Sequence, residues 1–133
     1  MDISLRVMNE SKETSFDFLV VGKYYTAYGI ILAHGHPYFL IGTNNVLPMW
    51  IPGTIFIVLD SRFPDGWGFV SAQLPGRYGA LSEIGVSCVI GYEQLVEDFD
   101  HYIGVVERDE SSISVFMRSK KLIDRWWDQN FTK

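Results

Sequence analysis

The sequence predicts an α+β protein: an antiparallel β-sheet built from the first ~90 residues, with one or two C-terminal α-helices packed on one face. Three observations lead there. Short runs rich in β-branched and aromatic residues, parted by Gly, Pro, Asn and Asp, fill the first ninety positions. From Gly91 onward the apolar spacing changes from two to three and four. No helical run lies between the early strands, so a parallel sheet would lack its crossovers.

Each run has a local reason. Residues 3–8 alternate, with Ile3, Leu5 and Val7 on one face of a first strand. The polar stretch 9–15 reads as a loop. Runs 16–21 and 24–33 flank Gly22-Lys23, which suits a tight hairpin. A second hairpin turns at His34-Gly35 into 37–41, and 42–45 (GTNN) is a loop by composition. The apolar connection 47–52 carries Pro48 and Pro52, which forbid a central strand. Runs 54–59 and 67–74 enclose Pro64-Asp65-Gly66, so they read as a hairpin at the centre of the sheet. The glycine-rich stretch 75–85 reads as a loop, and 86–90 as one more strand.

Tyr92, Leu95, Val96, Phe99, Tyr102, Ile103 and Val106 follow helical spacing, predicting one amphipathic helix over 92–109. Gly104 and Val105-Val106 weaken its second half. The alternative is a helix to Asp100 followed by a hairpin of 102–107 with 113–117. A last helix over 118–129 groups Leu122, Ile123, Trp126 and Trp127. Adjacent helical residues point about 100° apart, so one of Trp126 and Trp127 is expected at a rim or an interface.

At 133 residues the chain is expected to be a single globular domain, 1–133, with a substantial core. An apolar fraction of 47% and an aromatic fraction of 15% separate it from disordered chains. No window approaches the ~18 consecutive apolar residues of a membrane span. The first fifteen residues lack an apolar run behind a basic start, so no leader is expected and a cytoplasmic location is. A lone cysteine, Cys88, forms no internal disulfide and reads as a buried thiol.

Candidate chemistry is sparse. His34 and His36 on a strand would face the same way and need a third ligand to bind a metal, but a solvated turn is the simpler reading. The sequence has no HExxH, no clustered cysteines, no G-x-S-x-G elbow and no phosphate-cradling glycine motif. Asp60 and Asp65 flank a loop whose geometry prefers aspartate. No metal, cofactor or catalytic residue is therefore assigned, and whether the chain is an enzyme is left open, leaning against.

The charge distribution carries more. A net charge of −5 disfavours a general nucleic-acid binder. Residues 93–110 hold seven acids against one base, −6, leaving +1 for the rest. On one helix over 92–109 the apolar residues would span about 120°, with Glu107, Asp100, Glu93 and Glu97 filling the next ~80°. A one-sign patch suits a basic partner, although Arg118, Lys120, Lys121 and Arg125 could neutralise it from within.

The expected function is a small acidic binding protein of the bacterial immunity type, which occludes a basic toxin such as a nuclease. Glu93, Glu97, Asp100 and Glu107 would supply charge, and Trp126 or Trp127 an apolar anchor. The alternatives are a small enzyme or ligand-binding domain with its site in loops 42–52, 60–66 and 75–85, and a structural or assembly subunit.

Overall fold

The computed structural model describes residues 5–9 and 18–130. The described chain is α+β, as the sequence predicts. Strands β1 (Leu5–Asn9), β2 (Tyr24–Ala33), β3 (His36–Ile41), β4 (Met49–Pro52), β5 (Phe56–Asp60), β6 (Gly68–Ser71) and β7 (Val86–Gly91) precede helices α1 (Glu93–Glu97), α2 (Phe99–Glu107) and α3 (Glu110–Asn130). Short 3-10 segments cover Gly53–Ile55 and Arg77–Ile84, the latter replacing part of the expected loop 75–85.

Every strand pairing is antiparallel, and the ten-residue β2 organises them. One of its edges pairs with β3. The other is shared: Tyr24 to Ala27 pair with β1, and Gly29 to Ala33 pair with β7. Beyond these, β4 extends from β3, β5 from β1 and β6 from β7. The expected central hairpin of 54–59 with 67–74 is therefore not formed. Its two strands lie in different wings of the sheet, and residues 61–67 bridge the wings. Turn letters report a local reversal and not the strand each run finally pairs with.

A β-bulge in β2 lets one strand serve two cores. Tyr28 and Gly29 together oppose Leu40, because the register shifts by one between Ala27↔Ile41 and Ile30↔Phe39. The alternation is displaced accordingly. Tyr25, Ala27 and Ile30 enter one cluster with Phe39, Ile41, Ile51 and Phe56. Tyr28, Ile31 and Ala33 enter the other with Leu40, Leu95, Val105, Phe116, Ile123 and Trp127. Only Gly53–Ile55 separates β4 from β5, at opposite ends of the strand path, and the rings of Phe39 and Phe56 meet at 6.0 Å. That wing of the sheet is curled around the first cluster. The helices cover the second.

Local chemistry explains the turns it should. At the β2–β3 hairpin His34 (φ 52°) and Gly35 (φ 79°) are both left-handed, the conformation of a two-residue turn matched to strand twist. Among the described residues the hairpin expected at Gly22-Lys23 is not formed, and residues 16 and 17 of its first run lie outside them. Residues 18–23 are not strand, Lys23 N–H donates to Val20 O at 3.1 Å, and β2 pairs with β1 instead. The proline-bearing run 47–52 does supply a strand, β4, but at an edge.

The single helix expected over 92–109 is broken at Asp98, which is extended (φ −118°, ψ 97°). It ends α1 and caps α2, its carboxylate accepting from His101 N–H at 3.2 Å. Apolar spacing continues through the break and does not reveal it. The alternative hairpin is absent too, because 110–130 is one helix, longer than the expected 118–129. No helix among the described residues is long and apolar enough to cross a membrane.

Candidate functional site

A row of glycines positions α1. Gly68, Gly91 and Gly29 are paired side by side across β6, β7 and β2. A Cβ on Gly29 or on Gly91 would lie 2.6 Å from Leu95 Cδ2, and one on Gly68 would lie 3.2 Å from Val96 Cγ2. The missing side chains form a trough into which Leu95 and Val96 sink. With those two facing inward, Glu93, Gln94 and Glu97 are turned outward.

The second wall is the bridging loop. Arg62 forks onto Asp60, with Nη2 at 2.8 Å from Oδ2 and Nε at 3.1 Å from Oδ1, and it also donates to Asn130 O at 3.1 Å. Its guanidinium lies 5.3 Å from the Trp127 ring and 5.8 Å from that of Trp126. Phe63 stacks on Trp67 at 5.5 Å. The loop is thus fastened to the C-terminal end of α3, and Pro64, Asp65 and Gly66 face α1.

The floor comes from α3, where Ser119, Leu122, Ile123 and Trp126 follow one stripe at three- and four-residue spacing. Together these elements enclose an open cleft of about 560 Å³, whose polar rim is formed by Asp65, Glu93, Glu97, Arg125 and Gln129. Among the described residues Asp65, Glu93 and Glu97 make no ion pair, whereas Asp60, Asp100 and Asp124 each have a cationic partner. Leu122 is 63% exposed inside this rim.

The six residues singled out from the sequence divide. Glu93, Glu97 and Trp126 line the cleft. Trp127 is fully buried, so of the adjacent pair Trp126 is the one at a rim. Asp100 is bound by Arg77 through two hydrogen bonds of 3.1 and 2.7 Å, which hold its carboxyl below the usual carboxylate range. Glu107 is exposed in the last turn of α2 and lines neither this cleft nor the smaller one beside Asp98. The four acids do not share one face, because the break at Asp98 puts Glu93 and Glu97 on a different helix from Asp100 and Glu107. Of the expected neutralising bases, Arg125 reaches the cleft, while Lys120 is buried and bound to Asp124 at 2.7 Å. Of loops 42–52, 60–66 and 75–85, only residues 64–66 contribute to it.

Sequence reasoning missed Asp65, Ser119, Leu122 and Gln129 as parts of one site. The helical stripe of Ser119, Leu122 and Gln129 was readable, but the loop opposite, which carries Asp65, was assigned to a hairpin.

A smaller cleft of about 280 Å³ joins Asp98, Asp100, His101, Asp109 and Ser112. Its aspartates are engaged. Asp98 and Asp100 are bound as described, and Asp109 accepts from Ser111 Oγ at 2.6 Å and Ser112 N–H at 3.2 Å. The His101 ring shares a 2.7 Å hydrogen bond with Tyr92 Oη, and burial lowers its pKa while Asp98 opposes the shift. Cys88 is buried in β7, which pushes its thiol pKa up. The His34 ring packs against Gly85 in the turn, and His36 is exposed. Among the described residues no group of three or more His, Cys, Asp or Glu could hold a metal ion.

No protein-family model, curated protein or solved structure matches this chain.

Proposed function

We propose that this chain is a small acidic binding protein of the bacterial immunity type, acting in the cytoplasm by occluding a basic toxin such as a nuclease. The observation that supports the reading is the convergence of Glu93, Glu97 and Trp126 on one open cleft. Carboxylates that make no ion pair among the described residues steer a basic surface inward. An aromatic and a leucine beside them offer the apolar anchor that carries binding energy at protein interfaces. The cleft would be the centre of such an interface and the surrounding acidic helices its rim.

The test is capture from the source cell's extract at low and at moderate salt, with wild type and Glu93→Gln/Glu97→Gln as baits. The expected result is one basic protein held by wild type, released by salt, and at least about tenfold depleted on the double variant. Equal capture by both baits would remove the cleft from the account.

A second reading has one observation in its favour: about 560 Å³ is a volume that accommodates a small molecule. A ligand that binds only the folded state raises the melting temperature. A compound that does so for wild type and not for Trp126→Ala would support this reading over the inhibitor.

A further inference from the structure

We infer that the cleft takes a single arginine side chain presented by the partner, its guanidinium between Glu93 and Glu97 and its stem along Leu122 and Trp126. This deepens, and rests on, the reading of the chain as a binder of a basic protein. Four observations carry it.

The first is polarity at depth. Ser119 lines the cleft at only 8% exposure, and its side chain makes no hydrogen bond among the described residues. A hydroxyl that reaches the cleft from a buried residue offers an acceptor to a donor arriving from outside. The second is charge. Glu93 and Glu97 are four residues apart on α1, where like charges repel. Among the described residues that line the cleft, Arg125 offsets one of three carboxylates and two net negative charges are left. An incoming cation relieves that repulsion.

The third is shape. Leu122, Ile123 and Trp126 form an apolar floor between the polar groups, which fits a side chain with an aliphatic stem and a charged head. The fourth decides between arginine and lysine. The acceptors are spread over two carboxylates, the Ser119 hydroxyl and the amide oxygens of Gln94 and Gln129. A planar fork of five N–H donors can address several of these at once, and an ammonium addresses fewer. Guanidinium is also the weaker-hydrated cation and stacks on indole. Arg62 already places one against the Trp126 and Trp127 rings.

The experiment follows the indole N–H and side-chain amide signals by nuclear magnetic resonance while acetyl-Gly-Arg-Gly-amide is added. Matched peptides carry lysine or citrulline in place of arginine. Wild type is compared with Glu93→Gln/Glu97→Gln and with Glu83→Gln/Glu110→Gln, which loses the same charge outside the cleft. Both pairs are exposed, and circular dichroism verifies folding.

The expected result is a saturable shift of the Trp126, Gln94 and Gln129 signals by the arginine peptide. Affinity should fall at least about tenfold in the cleft variant and stay unchanged in the control variant. The citrulline peptide, the same size without the charge, should not bind. Three results would overturn the inference: no saturable shift, equal binding of the lysine peptide, or equal binding by the cleft variant. The extract capture separates this from the broader reading. Capture that depends on Glu93 and Glu97, with no peptide binding, overturns the arginine anchor and leaves the inhibitor standing. Peptide binding with no captured protein supports the arginine site and counts against a toxin partner.

Discussion

At the scale of single residues, two positions make the account testable without any partner. Leu95 is fully buried above Gly29 and Gly91, each of which leaves no room for a Cβ. Gly91→Ala should destabilise the fold by about 1–3 kcal/mol through overpacking, and Leu95→Ala by about 2–5 kcal/mol through the cavity it leaves. The double variant should cost less than the two together, since each change supplies the space the other needs. Urea unfolding of the three variants measures the coupling, and strict additivity would mean that Leu95 does not occupy the trough.

His101 sets a pH dependence. Its ordinary pKa is 6.5, and burial holds it lower in the folded state. As pH falls below that ordinary value the unfolded chain takes up the proton first, so stability falls until the folded imidazole also protonates. Stability should therefore be fully present above about pH 6.5 and decline on acidification. His101→Gln can keep a hydrogen bond to Tyr92 and should flatten that decline. An unchanged slope of urea midpoint against pH in the variant would contradict the buried, neutral imidazole. Burial likewise pushes the Tyr102 pKa up to about 12, so in the folded chain its phenol should ionise well above pH 10, read from the ultraviolet absorbance of phenolate against pH.

At the scale of elements, the break between α1 and α2 matters most, because it separates the acids of the cleft from those beyond it. Asp98 holds the break as the cap of α2, so Asp98→Ala should cost about 1 kcal/mol, read from the shift in urea midpoint. Some elements were legible because their cause is local. The His34-Gly35 turn, the exclusion of the run containing Pro48 and Pro52 from the centre of the sheet, and the strand before Gly91 all follow from residues within the element; that this run still forms an edge strand does not. The break at Asp98 was not legible. Leu95, Val96, Phe99 and Tyr102 keep helical spacing across it, and an aspartate inside an acidic run does not announce a cap. Ser111, Ser112 and Ser114 similarly obscured the first turns of α3, where burial of Phe116 outweighs their weak propensity.

At the scale of the whole molecule, the fold class was legible and the wiring was not. The order of strands before helices gave α+β, but β1 and β7 share one edge of β2 across more than seventy residues of chain. No local signal encodes that division, and it is the division that sends 61–67 across the molecule as a bridge. The cleft exists because of that bridge. Glu93, Glu97 and Trp126 could therefore be named from charge and helix geometry alone, while their meeting place could not.

The central claim is that a basic partner docks in this cleft, and site-specific photocrosslinking inside the source cell tests it most directly. Leu122 in the cleft and Ile84 outside it are almost equally exposed, at 63% and 65%. A p-benzoylphenylalanine is introduced in place of each, and capture of the partner by the unirradiated Leu122 probe variant verifies that its cleft is still open. The account predicts that the probe at Leu122 joins the chain to one basic protein, that Glu93→Gln/Glu97→Gln abolishes the product, and that the probe at Ile84 gives none. The same protein joined through Ile84 and not through Leu122, or a product at Leu122 that survives the loss of both carboxylates, would contradict it.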